Sequence, residues 1–178
     1  MQTSFSGIKV EVAQGDIARQ DDMDAVVNAA NAELRPGGGV AGAIHRAAGP
    51  ELEKICRPLS PIKPGEAVIT EAYGLPNRWV IHCLGPVFGK DKPEDQLLAC
   101  CYRRALQLAE SHQCGSVAFP AISSGIFGYP LPQAAGVALQ TIRDEASILK
   151  VVDHIRLVLY SEQDKTIVTN ILTDIVRL

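Results

Sequence analysis

Short runs rich in Val, Ile and Ala alternate along the chain with longer stretches of helical period, and that alternation limits the fold more than any other feature. Asp24–Ala29 has a solid apolar centre, Ala25-Val26-Val27, which suits a strand covered on both faces rather than a half-exposed one. Ile8–Ala13 reads as a strand with Ile8, Val10 and Val12 on one face. Glu66–Ala72, Arg78–Leu84, Ser116–Ala121 and His154–Tyr160 are the other predicted strands, with a turn at Tyr73–Asn77 between the first two of these. Gln96–His112 and Leu131–Ser147 carry helical period, and Pro132 suits a first turn. Ser161 caps a final helix whose stripe runs from Ile167 and Val168 to Ile175 and Val176. Such alternation predicts an α/β layered fold with a largely parallel central sheet.

At 178 residues the chain is read as one domain, residues 1–178, with no interdomain linker, repeat or low-complexity tract. Its 47% hydrophobic and 21% charged residues suffice for a real core. Met1–Gly7 has no basic or apolar region of a signal peptide, and no apolar run is long enough to span a membrane. The five cysteines are odd in number, include the adjacent pair Cys100 and Cys101, and form no CxxC. They read as reduced core thiols of a cytoplasmic protein, although His82-Cys83 and His112-x-Cys114 could in principle offer metal ligands. Seventeen basic against 20 acidic residues leave a net charge of −3, which argues against nucleic acid and membrane surfaces as partners. An anionic ligand would have to be held by something other than basic side chains.

Two glycine-bearing segments offer that alternative. The first runs from Asn28-Ala29-Ala30-Asn31 through Gly37-Gly38-Gly39-Val40-Ala41-Gly42 into a helix containing His45. The second, Ser123-Ser124-Gly125-Ile126-Phe127-Gly128, precedes the helix at Leu131. Each leads from a strand end to a helix start, where free N–H groups and the helix dipole attract anions. In open α/β sheets such loops converge beyond the carboxyl ends of the strands. Two of them suggest a ligand with more than one phosphate, gripped by amides rather than lysines.

Other phosphate and hydrolase motifs fit poorly. Gly37-x-Gly39-x-x-Gly42 matches the dinucleotide fingerprint, but Cys56–Pro64 holds no acid at the ribose-binding spacing. No P-loop is present, and Ala121 breaks a Gly-x-Ser-x-Gly elbow at Ser123.

Taken together, Gln14-Gly15-Asp16-Ile17, Val27–Asn31, Gly37–His45, Gly65–Thr70, Val80–Pro86 and Ala118–Gly128 resemble the macrodomain family of ADP-ribose binders, specifically its MacroD-type branch. The resemblance implies a three-layer α/β/α sandwich with a mixed, largely parallel central sheet. It implies that Asp16 accepts a hydrogen bond from the adenine amino group beside Ile17, and that Tyr160 lies on the adenine face. Gly37–Ala41 and Ser123–Phe127 would wrap the diphosphate and distal ribose, with Phe127 over the ribose. Asn31 and His45 are the implied catalytic residues, Asn31 positioning ribose and water; His45 by itself reads equally as a satisfied structural histidine. Asn28 reads as a loop clamp. No metal and no cofactor is implied.

One departure bears on activity. MacroD-type hydrolases usually carry Val-Asp-Gly where this chain has Val40-Ala41-Gly42, and alanine can neither move a proton nor orient water. Pro36 also replaces the usual first glycine of that loop. Some active macrodomains, coronaviral ones among them, likewise carry Val-Ala-Gly, and there the ligand's own diphosphate could activate the water. The resemblance therefore implies a hydrolase that removes mono-ADP-ribose from acidic side chains of proteins and deacetylates O-acetyl-ADP-ribose. A non-catalytic ADP-ribose reader is the alternative.

Overall fold

The computed structural model describes all 178 residues, Met1–Leu178. Seven strands form one sheet: β1 (Gln2–Phe5), β2 (Ile8–Gln14), β3 (Ala25–Ala29), β4 (Ala67–Glu71), β5 (Trp79–Cys83), β6 (Ser116–Phe119) and β7 (His154–Leu159). Their spatial order is β1-β2-β7-β6-β3-β5-β4. The five central strands are parallel, whereas β1 pairs antiparallel with β2 and β4 antiparallel with β5. The sheet is thus mixed and largely parallel.

Five helices complete the layers: α1 (Gly39–Ala48), α2 (Pro50–Cys56), α3 (Glu94–Ser111), α4 (Leu131–Ala146) and α5 (Glu162–Arg177). Because side chains alternate along a strand, each central strand feeds two cores. Ala25 and Val27 of β3 pack with α3, α4 and α5 on one face, while Val26 between them packs with α1 and α2 on the other. Ala25, Val26 and Val27 are each fully buried, as an uninterrupted apolar run requires.

Two elements lie outside the predicted pattern. β1 has only Phe5 buried and borrows its order from pairing with β2, from Gln2 opposite Glu11 to Phe5 opposite Ile8. Helix α2 starts at Pro50 directly after Gly49, whose φ of +88° ends α1 and turns the chain. Proline is favoured at a helix's first position, so Gly49-Pro50 separates two helices rather than ending helical structure. Helix α3 also begins two residues earlier than predicted, at Glu94 after Pro93.

The strand order decides where the loops meet. β2 lies beside β7, and β3 lies between β6 and β5. Asp16, which follows β2, and Tyr160, which follows β7, therefore stand at one end of the sheet's carboxyl edge. The glycine loop after β3 and the serine-glycine loop after β6 stand together further along it. No helix is long and apolar enough to cross a membrane.

Candidate functional site

A cleft runs along that carboxyl edge in two connected halves. One half, about 300 Å³, lies between the Asn31–Ala41 and Ala121–Phe127 segments, with Gly85 also in its lining. The other, about 570 Å³, is bounded by Asp16, Ile17, Arg46, Tyr160 and Asp164. Gly39, Val40, Ala121 and Gly125 line both halves, so the glycine-bearing loops form the waist of one groove.

The waist is rich in uncommitted amides. The N–H groups of Gly37, Gly38, Gly39, Val40 and Ala41 find no protein acceptor; the first bond of the α1 ladder is Gly42 N–H to Gly38 O at 3.3 Å. Gly125, Ile126 and Phe127 N–H groups are equally free, while Gly128 N–H donates to Gly125 O and Tyr129 N–H to Ser123 O. Orphan amides at a helix start, joined by a second amide-rich turn, present a concave positive surface that suits a diphosphate.

Close packing makes these loops possible. A Cβ on Gly42 would collide with the Gly37 carbonyl oxygen and stand 3.0 Å from Arg46 Nη1, so the loop folds directly onto α1. A Cβ on Gly85 would collide with Ser123 Oγ and stand 2.6 Å from Ile122 Cγ2. Ser123 itself sits at φ +67°, a region that costs a non-glycine residue strain, and its buried Oγ has no hydrogen-bond partner. Ile126 is 93% exposed at the rim, and Phe127 is half-buried beside it.

At the other end, the Asp16 carboxylate has a local task as well. Its Oδ1 accepts from Ala18 N–H at 2.9 Å and caps the short 3-10 turn Ile17–Arg19. Gln20 Nε2 donates to Asp16 O at 2.8 Å, and Arg156 Nη1 holds Gln20 Oε1 at 2.9 Å. Arg156 is in turn clamped by Asp22 at 2.7 Å, and its hydrogen bonds hold the Asp22 carboxyl down at about 2. Tyr160, 87% exposed, leaves its ring face open beside the cleft.

The two asparagines are held differently. Asn31, in the lining of the cleft, also clamps its own turn: its Nδ2 donates to Arg35 O at 2.8 Å, and its Oδ1 accepts from Arg35 N–H at 2.9 Å. One N–H and one lone pair of its amide remain, now in a fixed orientation beside the cleft. Asn28 instead is buried and donates from Nδ2 to His82 Nδ1 at 3.1 Å. That bond puts the His82 proton on Nε2, which donates to Thr70 Oγ1 at 3.0 Å, and the Thr70 hydroxyl in turn donates to Glu71 O at 3.0 Å. This hydrogen-bonded chain crosses β3, β5 and β4. No local sequence signal marks it, because it depends on the register that sets Asn28 beside His82 and His82 beside Val68.

Burial, with the nearby His45 as a minor contributor, pushes the His82 imidazole down to about 3. Because the fold buries the neutral ring, stability is fully present above the unfolded value of 6.5 and is lost progressively as pH falls from 6.5 towards 3. We expect the native-state imidazole resonances of His82 to report a neutral ring protonated at Nε2 at pH 5. Chemical denaturation should show lower stability at pH 5 than at pH 7. A native His82 that titrates near 6.5 would contradict this hydrogen-bonded arrangement.

His45 does not reach the cleft. It lies on the far side of the glycine loop, at a separate polar hollow with Gly42, Arg46 and Glu53. It is buried, but neither ring nitrogen has a hydrogen-bond partner, so it is not a satisfied structural histidine either. Burial holds it below its ordinary value, and Glu53 opposes that shift. Ala41 is buried at the head of α1 and contributes only its amide.

All five cysteines are free, and all but half-buried Cys100 are buried. No group of three or more His, Cys, Asp or Glu side chains is gathered as a metal site. His112 instead packs edge-on against Trp79 with ring centroids 4.9 Å apart.

Comparison with known proteins converges on one family. Residues 27–138 match the family model described as Macro domain. A Macro domain-containing protein of Chlorobaculum tepidum is 54% identical over 135 residues, 73% of this chain and 78% of that one. The O-acetyl-ADP-ribose deacetylase of Salmonella typhimurium is 45% identical over 170 residues, 93% of this chain and 94% of that protein. Among solved structures, a mutant of the Oceanobacillus iheyensis macrodomain with ADPR is 38% identical, with a TM-score of 0.95 over 100% of this chain and 99% of that one.

Proposed function

The chain belongs to the Macro domain family, and on that premise we propose that residues 1–178 act as one unit that binds ADP-ribose and hydrolyses the ester joining a single ADP-ribose to an acidic side chain. The observation that carries this reading is the waist of the cleft, where free amides of Gly37–Ala41 face those of Gly125–Phe127 in one groove. Such a waist holds a diphosphate without lysines, in keeping with a net charge of −3. Adenine then lies between Asp16, Ile17 and Tyr160, and the distal ribose lies beside Asn31 under Phe127.

In this reading Asn31 is the catalytic side chain. Its free N–H and lone pair fix the ribose hydroxyls and the attacking water. The water oxygen bonds to the anomeric carbon, and the ester oxygen departs with its electron pair as a carboxylate. A diphosphate oxygen accepts the water's proton and releases it to solvent. The loop amides stabilise the charge that shifts during the reaction. O-acetyl-ADP-ribose fits the same groove, with acetate as leaving product, and the name of the Salmonella relative supports that substrate. His45, behind the loop, serves as a positioning group for the glycine loop rather than a proton donor. Five unpaired cysteines favour a reducing, cytoplasmic setting.

Ala41 favours a second reading, an ADP-ribose reader without turnover, because it removes the carboxylate expected at the head of α1. Incubation with glutamate-linked mono-ADP-ribosylated protein and with O-acetyl-ADP-ribose separates the two. Time-dependent release of ADP-ribose is expected. Tight binding with no release over hours would replace the hydrolase by the reader.

A further inference from the structure

The half of the cleft assigned to adenosine contains a carboxylate that no side chain or amide of the protein engages. Asp164 stands in the first turn of α5, one turn beyond Tyr160, and its main-chain N–H is taken by the Ser161 cap at 3.1 Å. Its side chain is half-buried, lines the cleft, and makes neither a hydrogen bond nor an ion pair. Asp16, the other acid at this end, is by contrast engaged with Ala18 N–H and lies 3.8 Å from Arg19 Nε. Only one basic side chain, Arg46, lines the same half. It is drawn back against the glycine loop, where its Nη1 stands 3.0 Å from the place a Gly42 Cβ would take. The guanidinium therefore lies beside Gly42, and the free acid lines the space that leads from Asp16 and Tyr160 to the waist at Gly39, Val40 and Gly125, between the adenine and diphosphate positions.

That space is where the proximal ribose sits if the cleft binds ADP-ribose, and this inference rests on that reading. A carboxylate is an acceptor-only group and suits two vicinal hydroxyl donors. The same carboxylate repels a phosphate on either oxygen, strongly so in a groove that excludes water. Dinucleotide sites in general use this device, an acid for the free 2′-hydroxyl and an arginine for the 2′-phosphate. We propose that Asp164 is a specificity-determining residue, which restricts the cleft to adenosine ligands with a free proximal ribose and rejects their 2′-phosphorylated counterparts. The protein thereby acts on ADP-ribose groups that originate from NAD chemistry and leaves 2′-phosphorylated ones untouched.

Calorimetric titrations with ADP-ribose and with ADP-ribose 2′-phosphate test this on the wild type, Asp164→Asn and Asp164→Lys. The wild type should bind the 2′-phosphate form at least about 30-fold more weakly. Asp164→Asn should lose about 3- to 10-fold for ADP-ribose, gain for the 2′-phosphate form, and bring the ratio below about 5. Asp164→Lys should reverse the preference. Thermal unfolding should be little changed in Asp164→Asn, since the side chain makes no hydrogen bond or ion pair in the fold, whereas Asp164→Lys places a cation in the first turn of α5 and should unfold a few degrees lower while staying folded at the titration temperature. Wild-type affinities within about 3-fold of each other, or a ratio that Asp164→Asn leaves unchanged, would overturn the assignment. A wild type that binds neither compound defeats the ADP-ribose reading itself, and this inference with it.

Discussion

Replacing Gly125 by valine is expected to weaken ADP-ribose binding by at least about 100-fold while the protein stays folded. The two halves of that expectation have separate causes. Gly125 is not in the left-handed region, and a Cβ built on it meets no atom within 4 Å, so valine strains neither the backbone nor the packing. The open space it would enter is the waist itself, because Gly125 lines both halves of the cleft. The branched side chain then stands where the diphosphate must approach the amides of Ile126 and Phe127. Calorimetry with ADP-ribose measures the loss, and a thermal transition near that of the wild type shows that the fold is retained. Undiminished affinity in a folded variant would mean that the serine-glycine loop does not touch the ligand.

Asn31→Ala should separate turnover from binding. We expect kcat for ester hydrolysis to fall by about 100-fold or more, while the dissociation constant of ADP-ribose moves by less than about 10-fold. The diphosphate amides and the adenine contacts remain in the variant, and the lost amide serves the reacting end. Asn31 also holds both polar atoms of the Arg35 peptide, so the variant frees that turn. A control is therefore needed. Asn31→Asp can still accept from Arg35 N–H but has no N–H for the Arg35 carbonyl or the ribose, and it should bind while turning over slowly. Equal losses in kcat and affinity for Asn31→Ala would reduce the residue to a ribose anchor.

These expectations rest on features of unequal visibility in the sequence. The apolar run at Ala25–Val27 marks a strand whatever surrounds it, and glycines that lead into a helix announce an anion site through local geometry alone. The layered fold and both loops were therefore legible. β1 was not, because an edge strand with one buried residue, Phe5, has no periodicity to detect. α2 was hidden by Gly49-Pro50, a pair that reads as a helix end although here the proline begins the next helix. The antiparallel β4 and the adjacency of β3 with β6 are long-range choices, set by which cores close.

Individual side chains depended on packing in the same way. Asn28 and Asn31 are three residues apart on one segment, and sequence alone cannot say which faces the interior. Register places Asn28 against His82 and leaves Asn31 beside the cleft. His45, one turn after Ala41, is carried by the winding of α1 to the rear of the loop rather than to its front. Asp164 carries no motif at all. Its place in the groove follows from β7 lying beside β2, which sets the start of α5 against Asp16.

The proposed function requires that amides at the waist of this cleft grip the diphosphate of ADP-ribose. Titration of the purified protein with ADP-ribose by isothermal calorimetry tests it most directly. The predicted result is saturable binding at one site per chain, competed by ADP, which carries the same diphosphate, and weakened at least about 100-fold by Gly125→Val. No saturable binding by a folded protein, or binding that Gly125→Val leaves intact, would contradict it.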